Sequence, residues 1–252
     1  MSRESGKDLT SGSPFGLILG FALPMLLGLL FQQFYNMVDT MVVGQCLGVT
    51  SLAAVGSTGA LINLLINVFI GLSVGVNVLV AQYYGAKREQ DVNETVHTAV
   101  AISLLSGVFL VALGLLVTRP LLELMGTPDD VIDKSAIYMK IYFAGMPATM
   151  LYNFGSAVLR AVGDTRRPLY FLTAAGVVNV VLNLFFVISL NMDVAGVALA
   201  TVISQVISAG LVFWCLVKSE GALKLRIRDL RISKVKLKRI AKIGLPAGMQ
   251  GA

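Results

Sequence analysis

The chain has 252 residues, 56% hydrophobic and only 13% charged, with a formal net charge of +6 and a mean hydropathy of +0.80. A soluble domain averages about 45–50% apolar and about 25% charged residues, so this composition excludes a water-soluble protein and implies an all-α integral membrane protein that crosses the bilayer several times. Two distant cysteines, Cys46 and Cys215, provide neither a disulfide framework nor a metal motif. The positive excess is concentrated at 218–242, beside apolar sequence, which reads as a loop facing anionic lipid rather than a nucleic-acid site.

Residues 1–14 form a polar N-terminal segment without a signal-peptide cleavage pattern. Apolar runs then predict six membrane-spanning helices at 15–43, 52–83, 95–117, 136–159, 169–190 and 194–217. A basic linker follows at 218–239, and a seventh apolar segment occupies 240–252, too short to cross. The first span carries Pro24, a helix-bending residue. In the second, Asn63, Asn67, Gly71 and Gly75 recur at i, i+4 and predict a helix–helix packing face. His97, the single histidine, opens the third span at the membrane interface and has no catalytic partner. GTPDD (126–130), GDTRRP (163–168) and NMDVAG (191–196) read as turns, the last tight enough to make spans five and six a hairpin. With the N-terminus inside, seventeen of the twenty basic residues fall on the inner side, only Arg119, Lys134 and Lys140 remaining outside.

Asp39 is the sole charged residue between Phe15 and Lys87. An acid placed at a helix centre in the bilayer costs about 2.5–3.5 kcal/mol on insertion scales, so such residues are usually functional. It stands 24 residues past Phe15, roughly 36 Å along a straight helix, a depth that also suits a wet interfacial acid. Polar candidates lie at similar depth. Asn179 and Asn183 share one face of span five, and Thr201 is two turns into span six. Tyr138 starts span four, and Tyr35 and Gln32 lie on the Asp39 face of span one. Each alone fits a helix–helix hydrogen bond. Together with one carboxylate they form a set of hard oxygens suited to Na⁺, or to a proton held on a desolvated acid. No nucleophile–base pair, phosphate loop or metal-ligand cluster is present, so an enzyme and an organic cofactor are not expected.

Several motifs, in order along the whole chain, are similar to one transporter family: Leu23–Pro24, YNMVDTMVVGQ (35–45), LAAVG (52–56), AQYYGAK (81–87), RAVGDTRRP (160–168), VVNVVLN (177–183) and GVALATVISQ (196–205). The sequence resembles the multidrug and toxic compound extrusion (MATE) transporters. The resemblance implies a six-helix N-terminal lobe, one half of a twelve-helix exporter. Such an exporter expels drug-like, often cationic or amphipathic compounds from the cell across its membrane in exchange for Na⁺ or H⁺. It also implies that Asp39, Asn179, Asn183 and Thr201 bind the coupling cation, with Tyr35, Gln32, Tyr138 and Gln205 in support and Pro24 as hinge. Some members carry an aspartate where this chain has Asn183, so one carboxylate stands here instead of two and the ion stays open between Na⁺ and H⁺. IGLPAGMQ (243–250) repeats the Leu-Pro entry of span one, as the first helix of a second lobe would. Two other readings stand beside this one. A lipid-linked oligosaccharide flippase of similar architecture would need a basic cavity that these spans lack, and a half-transporter fragment would not transport by itself.

Overall fold

The computed structural model describes residues 14–251; residues 1–13, with Arg3 and Lys7, lie outside the described residues. The described chain is nearly all helical: α1 (Pro14–Val42), α2 (Val49–Gly85), α3 (Glu89–Leu124), α4 (Asp129–Ala144), α5 (Met146–Ala161), α6 (Arg166–Leu184), α7 (Val194–Lys218) and α8 (Lys234–Gly251). A π turn extends α1 over Val43–Leu47 and another extends α6 over Phe185–Ser189. In lipid every backbone polar group needs an internal partner, and continuous helices supply it.

Five helical stretches are long and apolar enough to cross a membrane: α1 and α6, each with its π turn, and α2, α3 and α7. The fourth expected span is instead two helices of 16 residues, α4 and α5, joined at Gly145. Pro147 explains the break, since it lacks an N–H and its ring clashes with the carbonyl four residues back. Gly145 also lies against α7, where an added Cβ would come within 2.7 Å of Val202 Cγ2. The two pieces together reach about 48 Å, enough to cross the roughly 30 Å hydrocarbon layer. Other helices outrun their apolar cores. Helix α3 begins at Glu89 and α8 at Lys234, because helical turns continue past the greasy stretch into polar surroundings.

Helices α4 and α5 form the centre. Met139, Phe143, Met146, Met150 and Phe154 are fully buried among α2, α3 and α7. Helix α1 presents Ile18, Leu19, Leu26, Leu30 and Phe34 outward. In a membrane protein exposed apolar side chains are ordinary, and helix association rests on close packing rather than apolar burial.

The glycine half of the predicted packing face works in this way, and its partner is α8. A Cβ added to Gly71 would stand 2.3 Å from Gly248 Cα, and one on Gly75 would stand 2.4 Å from the Ile240 carbonyl. A Cβ on Gly244 would stand 2.6 Å from Leu72 Cα. Four glycines, two per helix, thus let the α2 and α8 backbones touch. Asn67 is half-buried beside this seam and Asn63 is exposed.

Charges staple the two ends. At the end bearing the basic linker, Lys236 is almost fully buried, paired with Asp91 and lying 4.1 Å over the Tyr83 ring. Arg239 donates to the Tyr83 hydroxyl at 2.7 Å. At the far end Asp193 caps α7 through the Val194 N–H (2.8 Å), accepts from Ser51 of α2 (2.7 Å) and pairs with Lys134 of α4 (2.6 Å). Burial pushes the Asp193 carboxyl up, but Lys134, Ser51 and the Val194 N–H outweigh it and hold it below the usual carboxylate range.

Candidate functional site

Helices α1 and α6 pack side by side and run in the same direction. A Cβ on Gly28 would meet Leu169 and Leu172, and one on Gly176 would meet the Tyr35 ring at 3.2 Å. One turn further along this register Asp39 meets Asn179 and Asn183. Gly176 has no side chain, which leaves room for the Tyr35 ring against α6 at the register that brings the carboxylate onto the asparagine pair.

Both asparagines are buried and Asp39 is half-buried. The Asn183 amide donates to Asp39 Oδ1. The Asn179 amide, turned so that its nitrogen faces the carboxylate, donates to Oδ1 at 2.8 Å and to Oδ2 at 3.3 Å. On its other side the same amide stands 3.4 Å from Thr201 Oγ1 of α7, whose hydroxyl donates back to the Val197 carbonyl at 3.0 Å. Among the described residues no basic group pairs with Asp39, so its charge is met by neutral amides alone. Asn183 Oδ1 is buried with no hydrogen-bond partner among the described residues, leaving an acceptor next to the carboxylate. The π turns begin just past Asp39 and Asn183 and touch one another; such turns often occur at functional positions in helices.

The predicted supporting residues divide. Tyr35 and Tyr138 are buried, each within electrostatic reach of Asp39. Gln32 is exposed one turn before Tyr35 and its side chain reaches that hydroxyl. Gln205, one turn past Thr201, has a buried Oε1 without a partner among the described residues. Pro24 lies inside α1, fifteen residues before Asp39, where the missing N–H opens one helical hydrogen bond.

Sequence reasoning stops at Tyr138 on the central helices, and the structure adds its neighbours. Tyr138 and Tyr142 stack with ring centroids 6.1 Å apart, and Tyr35 is within electrostatic reach of Tyr142 and Tyr152. Tyr152 donates to the Pro168 carbonyl at 3.1 Å and lies near Arg160. The signal for these residues is periodic: Tyr138, Tyr142, Thr149, Tyr152, Asn153, Ser156 and Arg160 recur at helical spacing. They continue the polar interior from the Asp39 layer toward the linker end.

Chemically the Asp39 layer can exchange one kind of charge compensation for another. Two amide N–H groups solvate the bare carboxylate. A cation would instead be held by Asp39, Asn183 Oδ1, the Asn179 oxygen and Thr201 Oγ1, and a proton would neutralise Asp39 directly. No cluster of three His, Cys, Asp or Glu side chains comes together among the described residues, so hard oxygens are the donors this site offers.

Comparisons with known proteins agree with this architecture. The MatE family model matches residues 24–185, a segment that contains Asp39, both asparagines and the tyrosine-bearing helices. "Probable multidrug resistance protein YoeA" of Bacillus subtilis is 35% identical, with the match covering 91% of this chain and 51% of that protein. The "FAD transporter" of Shewanella oneidensis is 25% identical over 94% of this chain and 53% of its own length. Among solved structures, an outward-facing MATE family transporter of the MOP superfamily superposes with a TM-score of 0.91 at 28% identity, covering 100% of this chain and 56% of that one. The chain therefore spans about half the length of the curated relatives it matches, consistent with an N-terminal lobe. With sequence and fold matched along nearly its whole length, this membrane-embedded six-span body, built around one amide-held carboxylate, belongs to the MATE transporter family.

Proposed function

We propose that this chain is the ion-coupling half of an antiporter that expels bulky, cationic or amphipathic drug-like compounds from the cell in exchange for Na⁺ or H⁺. The observation that carries the reading is the single carboxylate of Asp39, met by neutral amides instead of a basic side chain. A structural acid inside a helix bundle would be expected to have a fixed cationic partner; an acid left for a mobile cation has none. Asp39, Asn179, Asn183 and Thr201 are the ligands, Tyr35, Gln32, Tyr138 and Gln205 support them, and the linker end faces the cytoplasm, where the basic residues cluster. A second six-helix half completes the substrate cleft. The relative named as an FAD transporter is a reminder that fold alone does not choose the substrate.

In this mechanism, cation binding removes the buried negative charge and frees both asparagine amides. Helix α1, with an open hydrogen bond at Pro24, is the element whose two positions the site biases. Ion entry and substrate release are then linked, and the linkage is reciprocal in affinity. Calorimetric Na⁺ titration of wild type and Asp39→Asn across pH tests the reading. Saturable Na⁺ binding, or a proton-binding group, that disappears in the variant supports coupling at Asp39. If Na⁺ binding and proton uptake are identical in both proteins, the assignment is wrong.

A further inference from the structure

The linker between α7 and α8 is laid along the first turns of α3 and held at regular intervals. Asn93 Nδ2 donates to the Ala222 and Lys224 carbonyls at 3.2 and 3.0 Å. His97 Nε2 accepts from the Arg226 N–H at 3.1 Å. Thr98 Oγ1 accepts from the Ser233 N–H at 3.2 Å. Glu94 faces Arg231 at 3.7 Å, and Leu225 is buried between these anchors. Positions 93, 94, 97 and 98 share one helical face.

His97 is 3% exposed and uses both ring nitrogens. Nδ1 stands 2.8 Å from the Asn93 carbonyl, which can only accept, so Nδ1 carries the proton. The Arg226 N–H can only donate, so Nε2 presents its lone pair. The partners thereby require the neutral ring. An imidazolium has two N–H groups and no lone pair, and its Nε2–H would point at the Arg226 N–H. The charged groups around this cleft are Glu94 from α3 and Arg226, Arg228, Asp229 and Arg231 from the linker. Helix α8 contributes Lys236, already occupied by Asp91 and Tyr83. Neither Asn93 nor Thr98 titrates, so their contacts do not change with pH.

We propose that His97 is a second proton-binding site, separate from the Asp39 layer, which holds the linker against α3 while neutral and releases the 225–230 stretch when protonated. The sign follows from the geometry. Docking needs the Nε2 lone pair, so it is present with the neutral ring and lost when acid protonates it. Release is local, because Thr98 still holds Ser233 and Asp91 still pairs with Lys236 at the foot of α8. The proposal rests on the linker contacts alone and does not depend on the identity of any transported ion or drug.

The test is a spin label at Ile227→Cys, an exposed site on the held segment, with Cys46→Ala and Cys215→Ala, in phosphatidylcholine vesicles that offer the basic linker no anionic surface. The expected spectrum is broad at pH 8 and gains a sharp, mobile component on acidification to pH 5. His97→Gln, which keeps an oxygen acceptor for the Arg226 N–H and cannot gain a proton, should stay broad to pH 5. His97 is the only histidine, so in tag-free protein its imidazole NMR signal titrates alone, and its midpoint should coincide with that of the label. A wild-type spectrum that stays broad at pH 5, an unchanged transition in His97→Gln, or separate midpoints for ring and label would overturn the proposal.

Discussion

The two polar regions of this protein handle charge in opposite ways. Near the α1–α6 contact one half-buried carboxylate is held by neutral amides. At the linker end, charge meets charge: Lys236 is enclosed by Asp91 and the Tyr83 ring, and Glu94 faces Arg231. A fixed ion pair holds two elements together, because removing either partner leaves the other uncompensated. A carboxylate with only amide donors is satisfied but still able to take a cation. The ion pairs suit assembly, and the amide-held carboxylate leaves room for a cation, although both are polar groups in an apolar chain.

The comparison can be broken most severely at Asp39. In the complete transporter, Asp39→Asn should reduce ion-driven efflux to background while leaving the thermal transition in place, since the amide is isosteric; flux in vesicles under an imposed Na⁺ or H⁺ gradient measures it. Asn183→Ala comes next. It removes Oδ1, an oxygen of the proposed cation shell, and should weaken Na⁺ binding by calorimetry about tenfold, or about 1.4 kcal/mol, even though the ion-free carboxylate also loses its N–H donor. Binding unchanged within twofold would show that the amide is only structural. Gly71→Ala probes the α2–α8 seam. Its methyl meets backbone at 2.3 Å, so overpacking of about 1–3 kcal/mol should exceed the gain of up to about 1 kcal/mol in helix propensity, and the Tm should fall.

The smallest effect is expected at the far end. Lys134→Met removes a pair whose side chains are 36% and 42% exposed, and such pairs are worth about 0–1 kcal/mol. Its pH dependence is more informative than its size. Asp193 is held below its usual range, so this stabilisation is present above the unfolded carboxylate value of about 3.9 and disappears as pH falls through the folded one. The Tm difference between wild type and Lys134→Met should be flat above about pH 5 and vanish in stronger acid. A difference that grows on acidification would contradict the assigned partners.

Much of this molecule was legible along the chain because membrane helices obey local rules. Apolar length marked the spans, and the i, i+4 spacing of Asn179 and Asn183 put them on one face. The isolation of Asp39 marked it as a residue needing explanation. Legibility failed where the rule was not local. The break at Gly145 depends on Pro147 acting together with the approach of Val202 from α7. The polar turns that open α3 and α8 lie outside any apolar window. Tyr142 and Tyr152 carried a readable period, but only the tertiary structure shows that this face looks toward Tyr35 of α1.

By itself, then, the sequence determined the class of protein, the approximate spans, the basic end and the residue types available near Asp39. Hydropathy and helical period are properties of neighbouring residues, and neighbours are written in order. Tertiary structure alone decided that both asparagines turn to one carboxylate, that α8 lies on the α2 glycines and that His97 grips the linker. Those contacts depend on how far each helix rotates and slides against another, which is set by close packing between residues as distant as Gly71 and Gly248.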